Sequence, residues 1–314
     1  MLLELGGLKL GEVDVVMGGP PCQGFSHMGK GDVTDNRNLL LTHFFRLVAE
    51  IRPRAFIVEN VPGILNAKYK ELLLLALGFV ERNYEVFKPR QIRAVDAGAP
   101  TIRTRVVIAG FARSLAPRNS EFWPETANKK SGAPTVREAL DGLPLDVHPD
   151  PRESRGGVRT VKVSKSGPFF ERVTGCVPSG VGSPQGLDKY YSRALVAGCL
   201  GTRHSPEQEA RYAALAYGQS DTKTKSVRLD PDGYCPTLRA GTGPDRGSFQ
   251  AVRPIHYLRP RVITPREGAR LQGFPDWYQF DPTKWHSFRH LGNSVSPLVS
   301  EFIMRKVAGV IRRG

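Results

Sequence analysis

The sequence has few cysteines, no long apolar run and no excess of acidic residues. Its four cysteines are widely spaced and form no Cys-x-x-Cys pair, so neither a zinc site nor a disulfide framework is expected. The longest apolar stretch, residues 72–80, is too short to cross a membrane. The first residues lack the charged region and the cleavage site of a signal peptide. We therefore expect a cytoplasmic protein that holds no metal.

Basic residues clearly outnumber acidic ones. The 45 Lys and Arg residues against 30 Asp and Glu residues give a formal net charge of +15. Such a balance favours a polyanionic partner and predicts binding that weakens steeply with salt. The chain has 314 residues, of which 40% are hydrophobic, enough for one large or two medium domains with a packed core. Charge alone does not identify the partner, because many soluble proteins are basic.

Cys22 follows an apolar stretch and two prolines. Residues 13–17 are expected to form a buried strand, and residues 18–26, with the sequence GGPPCQGFS, follow it. Each proline fixes its own φ and restricts the residue before it, while the glycines allow a sharp turn close to a ligand. This arrangement is typical of a nucleophile held at the carboxyl edge of a parallel sheet. A lone cysteine is more often a small buried hydrophobe, so the interpretation of Cys22 depends on other segments.

Two further segments place charged side chains at the ends of predicted strands. Residues 55–58 are apolar and predict a short strand that ends at Glu59. Arg103 and Arg105 open another strand, predicted at residues 106–109, and the two-residue period predicts both guanidinium groups on one face. A thiol, a carboxyl and two cations at successive strand ends are the components of an active site.

With these segments in order, the chain resembles the DNA (cytosine-5)-methyltransferase family. Residues 18–26 resemble the family's catalytic loop, Glu59-Asn60-Val61 its acidic motif, and Arg103-Thr104-Arg105 the end of its Gln-x-Arg-x-Arg motif. Residues 261–275 resemble the motif that follows the recognition region, and residues 291–295 resemble the last motif. Five motifs in family order are a specific signal, whereas any one of them alone would be weak.

The resemblance implies methyl transfer to C5 of a cytosine that is flipped out of double-stranded DNA. Cys22 is then the nucleophile, whose thiolate adds to C6 of the ring. Glu59, kept protonated by its apolar strand, would donate a proton to N3. Arg103 and Arg105 would hold O2 and the surrounding loop by charge-assisted hydrogen bonds. The sequence does not indicate which base removes the C5 proton.

The cofactor implied by the resemblance is S-adenosyl-L-methionine. Its binding residues are expected to be Pro21, Leu40, Asn293, Ser294 and Val295. The family's first motif, an Asp-x-Phe-x-Gly-x-Gly turn that holds the methionine part, is not found before Cys22. We therefore expect half of a Rossmann-like α/β sheet, in which the strand at residues 13–17 is an open edge that pairs with another chain. The missing part would be a second subunit or an upstream segment.

Two positions depart from the family's usual pattern. Thr101 stands where glutamine is usual, which predicts the loss of a supporting hydrogen bond rather than of the chemistry. Ser296 stands where proline is more usual, and this change is expected to matter little.

The order of the segments predicts two domains. Residues 1–115 and 289–314 would form the catalytic α/β domain, and residues 116–288 a smaller, mixed target-recognition domain. Helices are expected at residues 37–50, 68–82, 205–215 and 297–311, and a further strand at residues 84–87. The residues expected to contact DNA are Ser26, Thr237, Arg239, Arg246 and Gln250.

Two other functions stay open. A catalytically inactive methyltransferase relic would bind DNA or a partner as an accessory module, and the missing cofactor motif favours it. An RNA methyltransferase of the same family is the other alternative, although the long recognition-like region at residues 116–259 favours duplex DNA. The retained nucleophile, acid and cations favour the active DNA enzyme.

Overall fold

The computed structural model describes most of the chain in two compact units. The described residues are 7, 11–21, 39–117, 122–123, 132–150, 157–175, 177, 179–241, 252–280 and 282–313. Cys22, Ser26, Arg246 and Gln250 lie outside them. The sheet unit consists of Met1–Arg93, Thr104–Ala127 and Glu301–Gly314, and the mixed unit of Ala94–Arg103 and Asn128–Ser300. The predicted limits of the catalytic and recognition domains stay a prediction.

The sheet unit contains one mixed sheet. Its strands are β1 (Val15–Gly18), β2 (Ala55–Asn60), β3 (Tyr84–Val86), β4 (Arg90–Arg93) and β5 (Thr104–Ala112). The strand order is β1-β2-β5-β3, and β4 also pairs with β5. Among the described strands, β1 and β2 alone are parallel, while β5 runs antiparallel to β2, β3 and β4. The predicted α/β class is confirmed, and the additional strand β4 was not predicted because its sequence alternates basic and other residues without an apolar run.

Strand β1 lies at one edge of this sheet. In the described part of the chain its pairing partner is β2 alone, and Met17 within it is exposed. An edge strand presents unpaired backbone groups to any further strand that approaches it. This position is the one expected for the strand that leads to Cys22.

Two helices of the sheet unit pack on the apolar core. Helix α1 (Leu39–Ile51) buries Leu41, Phe45 and Val48, which recur at helical spacing. The ring of Phe45 contacts that of Phe56 in β2 edge to face, with centroids 5.5 Å apart. Helix α2 (Lys70–Gly78) follows two 3₁₀ turns, at Pro62–Leu65 and Ala67–Tyr69. It ends earlier than predicted, because Gly78 is a poor helix former and the next residues turn toward β3.

The mixed unit contains short helices and one small two-stranded sheet. Its elements are α3 (Val136–Ala139), β6 (Arg159–Thr160), α4 (Pro168–Thr174), α5 (Pro184–Arg193), β7 (Leu195–Val196), α6 (Pro206–Ala214), α7 (Pro265–Leu271) and α8 (Lys284–Asn293). Ser205 caps α6 as predicted, since its hydroxyl accepts the backbone N–H of Gln208 at 3.3 Å. Helix α9 (Pro297–Ile311) also has the predicted limits and begins in this unit. No described helix combines the length and the apolar character that crossing a bilayer requires.

Charged residues are buried at α7. Arg270 and Asp276 form an ion pair with both side chains fully buried. Arg261 holds Glu267 through two hydrogen bonds, at 2.7 and 2.9 Å, and Glu267 completes the capping box of Thr264. Breaking a buried pair leaves an uncompensated charge and strongly destabilises a fold. The motif at residues 261–275 therefore builds the framework of the mixed unit.

Candidate active site

The carboxyl ends of β1 and β2 and the amino end of β5 meet at one edge of the sheet. Because β1 and β2 are parallel, Gly18 pairs with Val58 at that edge. Because β5 is antiparallel to β2, Glu59 opposes Val107 near the start of β5. Arg105 is two residues from Val107 and so lies on the same face as Glu59, as its diagonal neighbour. The topology therefore brings a carboxyl of β2 to a guanidinium of β5.

Glu59 and Arg105 form a short, partly buried ion pair. The Nε atom of Arg105 lies 2.6 Å from Oε1 of Glu59, and the Arg105 and Glu59 side chains are 14% and 19% exposed, respectively. Partial burial strengthens such a charge-assisted contact relative to a surface pair. The sequence predicted apolar surroundings that would keep Glu59 protonated. The Arg105 guanidinium instead favours the ionised form of Glu59, because an opposite charge stabilises a carboxylate.

Two contacts connect the segment that precedes Cys22 to the end of β2. Nδ2 of the buried Asn60 donates to the carbonyl of Pro20 at 3.3 Å, and its Oδ1 accepts the next backbone N–H at 2.9 Å. A Cβ atom on Gly19 would lie 3.1 Å from Oε2 of Glu59, so a larger residue there would press on the carboxyl. The chain that leads to Cys22 is thus held beside Glu59.

The sequence predicted no individual role for Asn60, and for Gly19 it predicted only the freedom to turn near a ligand. Both lie inside the segments that were singled out, Gly19 within residues 18–26 and Asn60 directly after Glu59. A buried amide at the end of an apolar strand needs hydrogen-bonding partners, which was the available signal for Asn60. The close approach of Gly19 to a carboxyl depends on strand pairing and had no local signal.

Arg103 has an environment different from that of Arg105. Strand β5 begins at Thr104, so Arg103 directly precedes it, and the prediction that both guanidinium groups lie on one face stays a prediction. Arg103 is 2% exposed, and its guanidinium donates to three backbone carbonyls of the mixed unit at 2.7–2.9 Å. These acceptors belong to Leu238, Gly292 and Ser294. The contacts favour a structural role for Arg103.

The residues predicted to bind S-adenosylmethionine are divided between the two units. Pro21 and Leu40 belong to the sheet unit, and both are exposed, Leu40 to 40%. Exposed apolar side chains of this kind fit the face of an adenine ring. Asn293, Ser294 and Val295 belong to the mixed unit, where the Ser294 hydroxyl donates to the carbonyl of Leu291 at 2.9 Å. Within each unit the side chains fit the cofactor in chemical type.

The segment at residues 237–241 alternates between buried and exposed side chains. Leu238 is buried, whereas Thr237 and Arg239 on either side of it are exposed. Gly292 touches this segment so closely that a Cβ atom there would lie 2.0 Å from the backbone N of Ala240. The segment is anchored by its backbone and by Leu238, and it presents a hydroxyl and a guanidinium outward.

Thr101 and Ser296, the two residues that differ from the family's usual pattern, each make a buried hydrogen bond. The Thr101 hydroxyl donates to the carbonyl of Cys235 at 3.0 Å, and the backbone N–H of Ile102 donates to the same oxygen at 3.0 Å. The Ser296 hydroxyl donates to the carbonyl of Gln272 at 2.8 Å. Thr101 therefore supplies a supporting contact of its own in the mixed unit.

The two described cysteines are poor nucleophile candidates. Cys199 and Cys235 are buried free thiols. Burial raises the pKa of Cys199 to about 12 and raises that of Cys235 as well, so both stay in the unreactive thiol form near neutral pH. In the described part of the chain, no group of three His, Cys, Asp or Glu residues could hold a metal ion. Cys199 and Cys235 are therefore unsuited to act as nucleophiles, while Cys22 and Cys176 lie outside the described residues.

Comparison with known proteins gives one consistent family. The profile of the C-5 cytosine-specific DNA methylases matches residues 4–309. The chain is similar to the Type II methyltransferase M.XorII of Xanthomonas oryzae pv. oryzae, with 35% identity over 99% of this chain and 72% of that protein. It is also similar to the Type II methyltransferase M.DdeI of Desulfomicrobium norvegicum, with 30% identity over 98% of this chain and 75% of that protein.

Solved structures agree with the sequence relatives. A DNA modification methyltransferase encoded within a prophage (E. coli) has a TM-score of 0.85 and 41% identity, over 99% of this chain and 82% of that chain. The S. pombe Dnmt2 methyltransferase has a TM-score of 0.54 and 17% identity, over 95% of this chain and 79% of that chain, and shares the fold.

Proposed function

The chain belongs to the C-5 cytosine-specific DNA methylase family of S-adenosylmethionine-dependent enzymes, and from this premise we propose a covalent mechanism for it. It methylates C5 of a cytosine flipped out of duplex DNA, through an adduct with Cys22. The single observation that supports this most is the Glu59–Arg105 pair, which lies beside the chain that leads to Cys22.

The Cys22 thiolate begins the reaction by adding to C6 of cytosine. A carbon–sulfur bond forms, the C5–C6 double bond opens, and electron density moves toward C5, N3 and O2. S-adenosylmethionine, when bound, supplies an electrophilic methyl group. After C5 has gained the methyl, a base removes the C5 proton, the double bond forms again and Cys22 leaves as a thiolate.

Glu59 is the proton donor to N3, and Arg105 orients it. The ion pair favours the carboxylate before DNA binds, so Glu59 must take up a proton as the base covers it. Removal of water disfavours the charged form of a carboxyl and promotes this uptake. The Arg105 guanidinium then remains as a fixed cation for the charge that develops at O2. Arg103, held by three carbonyls, acts within the framework of the mixed unit.

Polar and basic residues bind the DNA. Thr237 and Arg239 are on the surface of the mixed unit, where Arg239 is suited to a guanine edge or a phosphate. By resemblance, Ser26 and Gln250 act at the flipped base and at the gap that it leaves, and Arg246 is a further candidate for the guanine edge or a phosphate. The net charge of +15 supports binding that weakens as salt rises.

The cofactor site is completed by polypeptide that carries the first family motif. Pro21 and Leu40 supply apolar surface, and Asn293, Ser294 and Val295 supply polar and backbone groups. The edge strand β1, which pairs with β2 alone among the described strands, is the place where a further strand would add. A second subunit or an upstream segment of the same protein would provide it.

Covalent trapping tests the mechanism. A duplex pool of random sequence, copied with 5-fluorocytosine, is incubated with the folded chain and S-adenosylmethionine, with and without the product of the adjacent upstream frame. Fluorine at C5 cannot leave as a proton does, so the adduct should accumulate and survive denaturation. We expect trapping by the complete enzyme and none by C22S, which should still bind DNA. A folded, DNA-binding chain that never traps would instead identify an inactive accessory protein.

A further inference from the structure

Arg253 connects two separate parts of the mixed unit. Its Nη1 atom donates to the backbone carbonyl of Arg239 at 2.9 Å. Its guanidinium carbon lies 4.4 Å from the centroid of the Phe288 ring in α8. A cation that stacks on a ring at this distance is attracted to its face, and the bond to the carbonyl is charge-assisted. One side chain thus fixes the backbone of Arg239 to a helix.

Other contacts hold the backbone next to Arg239. Nη1 of Arg103 donates to the carbonyl of Leu238 at 2.9 Å. A Cβ atom on Gly268 would lie 3.2 Å from the Leu238 side chain, which shows how closely Leu238 packs on α7. Gly292 abuts the backbone of Ala240. Successive carbonyls, at residues 238 and 239, are therefore held by arginines from two distant parts of the sequence.

The charge on Arg253 persists under physiological conditions. Burial lowers the pKa of Arg253 to about 10, which is still far above neutral pH. Arginine suits this position better than lysine, because a flat guanidinium can stack on a ring and direct an N–H at a carbonyl at the same time. The contact is therefore directional as well as electrostatic.

We propose that Arg253 is a positioning residue for DNA recognition, which holds the backbone of Arg239 so that the exposed Arg239 side chain meets the DNA in one orientation. This inference rests on the proposed contact of Arg239 with DNA. A bidentate arginine contact to a base edge requires a defined approach and discriminates about 5- to 150-fold against the wrong base. Freeing the backbone at Arg239 should therefore reduce discrimination before it reduces general affinity.

A double-mutant cycle on DNA binding tests this role. Selection from a random duplex pool first defines the sequence that the wild-type protein prefers. Dissociation constants are then measured for the preferred and a scrambled duplex, with wild type, R239M, R253M, R239M/R253M and R113M. Arg113 is the matched control, because its guanidinium also donates to backbone carbonyls, of Glu81 at 2.8 Å and Arg82 at 3.2 Å, but in the sheet unit.

We expect R253M and R239M each to lose most of the discrimination, and the double variant to lose no more than R239M alone. Affinity for the scrambled duplex should fall equally in R253M and R113M, because each variant loses one positive charge. If R253M does not fold, R253K takes its place in the cycle.

Two results would overturn the inference. If the losses of discrimination in R239M and R253M add up in the double variant, Arg253 does not act through Arg239. The same conclusion follows if R253M discriminates between the preferred and the scrambled duplex as well as wild type does. A wild-type protein that shows no sequence preference contradicts the proposed DNA recognition itself, which separates that failure from the failure of Arg253 alone.

Discussion

The Nε atom of Arg105 lies 2.6 Å from Oε1 of Glu59, across two antiparallel strands. The pair is a diagonal one, since Glu59 opposes Val107, and Arg105 points to the same face two residues earlier. A carboxyl that is held by a cation is oriented at low entropic cost when a substrate arrives. The same cation favours the ionised form, so the proton donation that we propose for Glu59 requires proton uptake when the base arrives.

Replacing Glu59 with glutamine should slow methyl transfer and leave the fold intact. Glutamine has nearly the same shape but cannot give a proton to N3, and general acid catalysis contributes about 10²–10⁴-fold. Single-turnover methyl transfer to DNA would measure the loss. E85Q is the matched control, because Glu85 is in the same sheet and pairs with Arg113 at 3.4 Å on the surface. A rate equal to that of wild type would remove Glu59 from the mechanism.

Replacing Asn60 with alanine should release the chain that precedes Cys22. The variant leaves the Pro20 carbonyl without its donor and a backbone N–H without its acceptor, which we expect to cost about 1–3 kcal/mol. Urea denaturation would measure the stability, and the rate of trapping on 5-fluorocytosine DNA would measure the effect on the loop. N66A serves as the control, since Asn66 is exposed and its side chain caps no helix. Equal trapping rates in N60A and N66A would contradict a positioning role for Asn60.

Replacing Gly292 with alanine should destabilise the mixed unit. The new Cβ would lie 2.0 Å from the backbone N of Ala240, so the segment at residues 237–241 would have to move, at a cost of about 1–3 kcal/mol. G309A is the opposite case, because nothing lies within 4 Å of a Cβ there and the position is in α9. The free energy of unfolding of that variant should rise by about 0.5–1 kcal/mol. Denaturation curves would compare them, and a G292A protein as stable as wild type would contradict the close contact.

Stability should fall on acidification because of His256. The pKa of His256 is lowered to about 4, mainly by burial and further by the positive charges of Arg259 and Arg261. The Glu267 carboxylate, 3.6 Å from Nε2, raises this pKa but does not offset the burial. The native imidazole is neutral, while the unfolded chain binds a proton below pH 6.5. The stability present above pH 6.5 is therefore lost as the pH falls toward 4, by roughly 2 kcal/mol between pH 7 and 5.

H256N provides the comparison for this pH dependence. The side-chain amide oxygen of that variant would accept the backbone N–H that Nδ1 of His256 accepts from Leu258 at 3.0 Å, and the amide does not titrate. Denaturation at pH 7 and pH 5 should show a smaller loss for the variant. Equal losses in both proteins would assign the acid sensitivity to other groups.

Local patterns predicted the elements whose structure depends on nearby residues. The apolar run at residues 55–58, the capping serine Ser205 and the helical spacing at residues 297–311 each predicted the observed element. Short-range geometry determines such features, because strand alternation, capping and helix periodicity involve residues a few positions apart. Strand β4 escaped prediction, since its pairing with β5 rather than its own composition makes it a strand.

By itself the sequence determined the family of this protein, because five short motifs occur in the family's order between residues 18 and 295. Only the tertiary structure decided that the two arginines of one motif have different partners. Arg105 meets Glu59 across the sheet, while Arg103 is enclosed by carbonyls from residues 238, 292 and 294. Arg253 had no signal at all in the sequence. The physical reason is that a guanidinium takes its role from the acceptors around it, and the fold collects those acceptors from distant parts of the chain.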